Sequence, residues 1–165
     1  YGFGISGTWK GFDLNVHFQG AGKSSFFIDG PTVYAFSSGE WGNVLKDVAE
    51  SDRWISADIS GNPATENPNA EYPRLTYGKN DNNNRASTYW LRNGAYLRLK
   101  TLDVGYTLPK SIVRKAHMNT VRIFFTGTNL LTFSKFKLWD PEMGASRGEQ
   151  YPLAKSITLG LSVNL

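Results

Sequence analysis

The chain of 165 residues contains no cysteine and only two histidines. Disulfides and thiolate metal sites are thereby excluded, and neither imidazole has Asp or Glu beside it at ligand spacing, so no metal and no cofactor is expected. Also missing is any apolar run near the roughly 18 residues of a membrane-crossing helix. The chain opens on Tyr1-Gly2-Phe3, without a methionine, a basic n-region or an h-region, and reads as a piece of something longer. Charge is not concentrated either. The 18 Lys and Arg are spread among 14 Asp and Glu for a net +4, which gives no basic patch and excludes nucleic acid as a partner. What the composition has instead is 17 glycines and 14% aromatics, the balance of an all-β chain.

The last ten residues show the pattern most plainly. Ile157, Leu159, Leu161, Val163 and Leu165 fall on one face, and Ser156, Thr158, Gly160, Ser162 and Asn164 on the other, a strict period of two. At ~3.3 Å per residue such a strand is roughly 33 Å long, and at a tilt of about 45° it covers roughly 23 Å, close to the ~25 Å apolar band of an outer-membrane barrel. A strand of a soluble β-sandwich alternates in the same way. The pattern recurs at 2–10 (Phe3, Ile5, Trp9) and 12–20 (Phe12, Leu14, Val16, Phe18), joined by a tight turn at Lys10-Gly11. Trp9 and Phe12 flank that turn, where an interfacial aromatic girdle would put them.

Two further strands are expected at 89–108 and 120–130. Within 89–108 the apolar phase changes from Leu97 and Leu99 to Leu102, Val104 and Tyr106, which predicts a bulge near Lys100-Thr101. In 120–130 the apolar face is ambiguous at Phe124. The connections alternate in length: short at 10–11 and 109–117, long at 21–88 and 131–151. Short periplasmic turns and long extracellular loops give outer-membrane barrels this rhythm. The long excursion carries a short helical pattern over 42–50, and its asparagine run at 80–84 is expected to be the mobile part.

Several segments together resemble the C-terminal part of SusC/RagA-type TonB-linked outer-membrane proteins of the Bacteroidetes. They are Asp52-Arg53-Trp54, the run from Glu66 to Leu75 (ENPNAEYPRL), the run from Gly94 to Leu102 (GAYLRLKTL), Gly105-Tyr106-Thr107-Leu108-Pro109, Gly127-Thr128-Asn129-Leu130-Leu131-Thr132 and Asp140-Pro141-Glu142. The end, with Thr158, Gly160, Val163 and Leu165, resembles the terminal signal read by the barrel-assembly machinery, although the family usually closes on an aromatic. The resemblance implies an all-β fold, an antiparallel transmembrane β-barrel segment of about the last five strands of 22, whose plug domain lies upstream. It implies import of glycans or oligopeptides across the outer membrane, a SusD-like lipoprotein as lid, energy from TonB through the missing N-terminal part, and a periplasmic C-terminus. The lipid-facing residues are then Phe3, Ile5, Trp9, Phe12, Leu14, Val16, Phe18, Ile157, Leu159 and Leu161. Trp41, Trp54, Tyr72, Arg74 and Trp139 are the candidate contacts to lid or substrate.

The rival reading is a soluble, secreted β-sandwich that binds carbohydrate through Trp41, Trp54 and Trp139. An enzyme is not expected. The carboxylate pairs Asp140/Glu142 and Glu66/Glu71 sit in Asn- and Pro-rich loops, which supply neither the fixed geometry nor the raised pKa that acid–base chemistry needs.

Overall fold

A computed structural model describes residues 1–37 and 42–165. Among these, the elements run β1 (Gly2–Trp9), β2 (Phe12–Ala21), β3 (Ser25–Phe27), α1 (Lys46–Glu50), α2 (Ala57–Ser60), β4 (Leu91–Asn93), β5 (Tyr96–Thr107), α3 (Lys110–Val113), β6 (Thr120–Ser134) and β7 (Ser156–Asn164). They divide into two units. A sheet unit comprises Tyr1–Ser25, Asn93–Glu142 and Tyr151–Leu165; a loop unit comprises Phe26–Arg92 and Met143–Gln150.

The sheet unit is built on one antiparallel sheet in the order β1-β2-β5-β6-β7. Lys10 and Gly11 both adopt positive φ, 48° and 90°, the geometry of a two-residue turn whose twist matches the strands it joins. Trp9 therefore pairs directly with Phe12. Thr107 N–H donates to Gly11 O at 2.7 Å, which seats β5 against the same turn. The β5–β6 connection coils through α3 and a 3₁₀ turn (Arg114–Ala116) and ends at His117 with φ of 57°. Val113 and Val121, both buried, form the small core under this turn.

The bulge expected near Lys100 is present. Register shifts where His17 and Phe18 face Thr101 and Leu99, and again where β6 places three steps, Thr128 to Leu131, against two of β5. Strand lengths depart from the sequence reading at two places. The run 89–108 is two strands, because the chain turns at Gly94-Ala95: Asn93 Oδ1 accepts the Ala95 N–H at 2.9 Å, and Gly94 N–H donates to Ser24 O at 2.8 Å. β4 then pairs with β3, while β5 pairs with β2 and β6. The strand expected over 120–130 continues to Ser134, since Leu131 and Phe133 still find Leu99 and Leu97 across the ladder.

The loop unit has its own core of Ile28, Val33, Val48 and Trp90. The helical pattern of 42–50 forms a helix only over Lys46–Glu50, and Arg53 caps its carbonyls at Val48 (3.1 Å) and Ala49 (2.7 Å). Trp54 N–H donates to Tyr72 O at 3.0 Å, and Asp52 accepts from both Asn67 Nδ2 (3.1 Å) and Glu71 N–H (3.3 Å). The asparagine run is not a free loop. Trp90 Nε1 donates to Asn83 O at 2.6 Å and the Tyr34 hydroxyl to Asn84 O at 3.0 Å, so two aromatics hold it by its backbone. Arg147 brings in the tip of the second excursion through Asp29, at 2.9 Å.

Candidate functional site

Antiparallel partners point to the same side of a sheet, so the register assigns every strand residue to a face. Four cross-strand rows build one of them: Trp9-Phe12-Tyr106-Ile123-Leu161, Gly7-Leu14-Val104-Phe125-Leu159, Ile5-Val16-Leu102-Gly127-Ile157 and Phe3-Phe18-Leu99-Leu131. No charged residue enters them. Many of these side chains stand in the open: Ile5 is 72% exposed and Leu159 77%. A monomer in water rarely leaves so contiguous an apolar surface uncovered. Aromatics gather at the two ends of the face. Phe12 meets Tyr106 at 4.5 Å beside Trp9 at the short-turn end, and Phe3 stacks on Phe18 at 5.1 Å at the other.

The opposite face is polar. Its rows are Thr8-Asp13-Gly105-Phe124-Gly160, Ser6-Asn15-Asp103-Thr126-Thr158 and Gly4-His17-Thr101-Thr128-Ser156. Arg122 of β6 reaches across β5, lying over Gly105, to Asp13 of β2 with Nε–Oδ1 at 3.0 Å, and it also holds Asp103 at 2.6 Å. Thr126 donates to the other Asp103 oxygen at 2.5 Å. Phe124, ambiguous in sequence, belongs to this face. Its ring lies under the Arg122 guanidinium at 5.0 Å and over Gly160 of β7, in the space a Cβ there would need. Toward the long-loop end, Arg98 is 1% exposed and pairs with Asp140 at 2.5 Å, while Lys100 holds Glu142 at 3.2 Å and the Tyr96 hydroxyl donates to Glu142 at 3.0 Å. The two carboxylates once weighed as an acid–base pair are thus the anchors that fasten the start of the second excursion to the wall.

The residues of the expected terminal signal separate by face. Thr158 and Gly160 are on the polar side, opposite Thr126 and Phe124, Val163 is on the apolar side, opposite Val121, and Leu165 follows the end of β7. Among the loop candidates, Trp41 lies outside the described residues. Trp54 and Tyr72 line one cleft of the loop unit, with Tyr89, Asn82, Asn83 and Ser87. Arg74 is exposed and does not line it, and Trp139 belongs to the sheet unit, packed edge-on to Phe136 at 4.8 Å. Sequence reasoning passed over Tyr89, Asn82 and Asn83, whose shared place depends on the hydrogen bonds of the loop unit. It also passed over Arg122 with Asp13 and Asp103, for which charges on the polar phase of three strands were the available signal.

Solved structures share this fold. The RagAB peptide transporter matches 99% of the chain with a TM-score of 0.74 at 25% identity, through 17% of that protein's chain. The RagAB peptide importer in its open-open and closed-closed states matches with TM-scores of 0.72 at 26% and 25% identity. In sequence, the TonB-dependent receptors P26 and P3 of Formosa agariphila are 28% and 30% identical over 99% and 98% of the chain. The chain is a barrel segment of a SusC/RagA-type TonB-dependent receptor. It spans 16% of the length of those two receptors. No family model matches it. In this receptor segment the open five-stranded sheet is a stretch of barrel wall, and the sandwich reading, which needs a second sheet over the apolar face, is set aside.

Two measurements check the site. In the full-length receptor, Gly160→Ala pushes on the Phe124 ring and should destabilise the barrel by about 1–3 kcal/mol, whereas Gly7→Ala, which has open space, should be neutral. Phe124→Ala combined with Gly160→Ala should recover most of the loss in heat-modifiability assays. No recovery would mean that Gly160 matters as a recognition residue and not for packing. In the loop unit, burial pushes the Tyr89 phenol up to about 12 from 10.0. The neutral phenol is the form the folded loop favours, so its contribution to stability is complete below pH 10 and is lost as pH rises through about 12. The tyrosinate absorbance difference between wild type and Tyr89→Phe should accordingly titrate near 12; a midpoint at 10 would contradict the packing described.

Proposed function

We propose that this chain forms five neighbouring staves of an outer-membrane, TonB-dependent importer of glycans or oligopeptides that works with a SusD-like surface lipoprotein and is not an enzyme. The observation that carries the reading is the uncharged apolar face shared by all five long strands, most exposed on the outer strands β1 and β7 and bounded by aromatics, in a chain similar to TonB-dependent receptors. Lipid satisfies that face and an aqueous lumen satisfies the other. With short turns on the periplasmic side, both long excursions lie outside the cell and Leu165 ends in the periplasm. Thr158, Gly160, Val163 and Leu165 serve the barrel-assembly machinery. TonB acts through parts of the receptor beyond this segment. The likeness to RagAB, a peptide transporter and importer, supports the import role.

Leu159→Arg and Thr158→Lys in the full-length receptor separate the faces. The first puts a charge in lipid at roughly 2–4 kcal/mol, while the second stays hydrated opposite Thr126. Insertion should collapse for Leu159→Arg alone, and equal loss for both would refute the face assignment. For the transport role, residues 41–75 are replaced by a Gly/Ser linker. The barrel should still insert, with loss of lipoprotein co-purification and of substrate uptake; if both persist, the long excursion has no part in either.

A further inference from the structure

The geometry points to the cleft of the loop unit as a subsite for one uncharged pyranose unit of an oligosaccharide, held by Trp54, Tyr72, Tyr89, Asn82, Asn83 and Ser87. The inference rests on the reading of this excursion as the outward surface of an importer, and it selects glycan over peptide. The cleft, broad and open to solvent, has a volume of about 420 Å³, within the range of small-molecule sites. Trp54, 39% exposed, presents an aromatic face of the kind that covers the C–H face of a sugar ring at little entropic cost.

The polar groups suit hydroxyls. Asn82 Nδ2 donates to Asn83 Oδ1 at 3.4 Å, which leaves Asn82 Oδ1 as acceptor and Asn83 Nδ2 as donor. That donor–acceptor pair matches vicinal hydroxyls, each of which gives one bond and takes another. Ser87 and the phenols of Tyr72 and Tyr89 add hydroxyls to the lining, and burial raises both phenols, so they remain protonated donors. Charge disfavours the acidic sugars. Glu71 is the one ionic group of the lining, so a uronate, sulfate or phosphate would meet a carboxylate, while Arg92, the cation whose field reaches both phenols, is engaged by the Tyr89 and Leu91 carbonyls.

A peptide is recognised through its backbone along a free strand edge or a run of open N–H groups, and here those groups are taken. Trp54 N–H goes to Tyr72 O, Tyr72 N–H to Asp52 O and Asn83 N–H to Asn80 Oδ1. These three N–H groups are therefore closed to a peptide backbone. The same bonds hold the cleft in shape before a ligand arrives, and that preorganisation lowers the cost of binding.

The test uses the full-length receptor in detergent, titrated calorimetrically with neutral gluco-, manno- and xylo-oligosaccharides, with polygalacturonate, and with tri- and pentapeptides. A neutral series should bind, Trp54→Ala should weaken it at least tenfold, Asn83→Ala should weaken it less, and Trp54→Phe should restore most of the affinity. The inference is overturned if no neutral oligosaccharide binds, if Trp54→Ala and Asn83→Ala leave the sugar affinity unchanged, or if the ligand lost on Trp54→Ala is a peptide or an acidic glycan. Membrane insertion and lipoprotein co-purification are followed in the same variants. A receptor that inserts, keeps its lid and binds no sugar overturns the subsite alone, whereas failure of insertion or lid binding in the wild type strikes the importer reading beneath it.

Discussion

Everything in the sheet unit depends on register. A β-strand has period two, so a slip of one residue would carry an entire apolar set onto the polar face. Neighbouring strands must therefore agree residue by residue, and the two places where the count changes must agree as well. β5 carries one more residue than β2 at Lys100, and β6 one more than β5 at Asn129, whose φ of 53° marks the kink. Because the insertions sit side by side, Leu97 and Leu99 stay on the side of Leu102 and Val104 despite the change of phase. The apolar rows continue through the bulge and pair Phe18 with Leu99 and Leu99 with Leu131.

On the polar face the strands are tied laterally by side chains that lie flat. Gly105 and Gly160 make this possible, because a Cβ at either would occupy the space of the Arg122 head or the Phe124 ring. Arg122 thereby spans from β6 to β2, and one guanidinium serves two carboxylates in a bidentate geometry that lysine has no means to reproduce. These groups remain partly exposed, at 26% to 28% of their side-chain surface, so the desolvation that offsets buried ion pairs is mild. Arg98 is the contrasting case. Fully buried, it organises Asp140 and, with Lys100 and Tyr96, Glu142, and the chain leaving β6 is fastened to the wall as a result.

The loop unit shows why a long connection without repeated secondary structure need not be unstructured. Its backbone polar groups are satisfied by side chains at defined corners: Arg53 on the end of α1, Asp52 on Glu71, Trp90 and Tyr34 on the asparagine run. The cleft of Trp54, Tyr72 and Tyr89 is a by-product of those corners. Its lining residues are separated by up to 35 positions in sequence, from Trp54 to Tyr89.

By itself the sequence determined the faces. Alternation needs only local order, so the apolar sets of β1, β2 and β7, the turn at Lys10-Gly11, the phase change at Lys100 and the short–long rhythm of the connections were all legible. The asparagine run has the composition of a loop, and its hydrogen bonds to Tyr34 and Trp90 could not be read from it because both partners lie outside it. Phe124 could not be placed from β6 alone, since its side depends on the room above Gly160 of β7 and on the Arg122 head beside it. The break at Gly94-Ala95, the extension of β6 to Ser134 and the burial of Arg98 were likewise decided by partners remote in the chain: Ser24 for the turn, Leu97 for the extra ladder, Asp140 for the charge. Period is a property of one strand and can be read along it. Pairing, counter-charge and cavity are properties of segments brought together, and only the tertiary structure decides them.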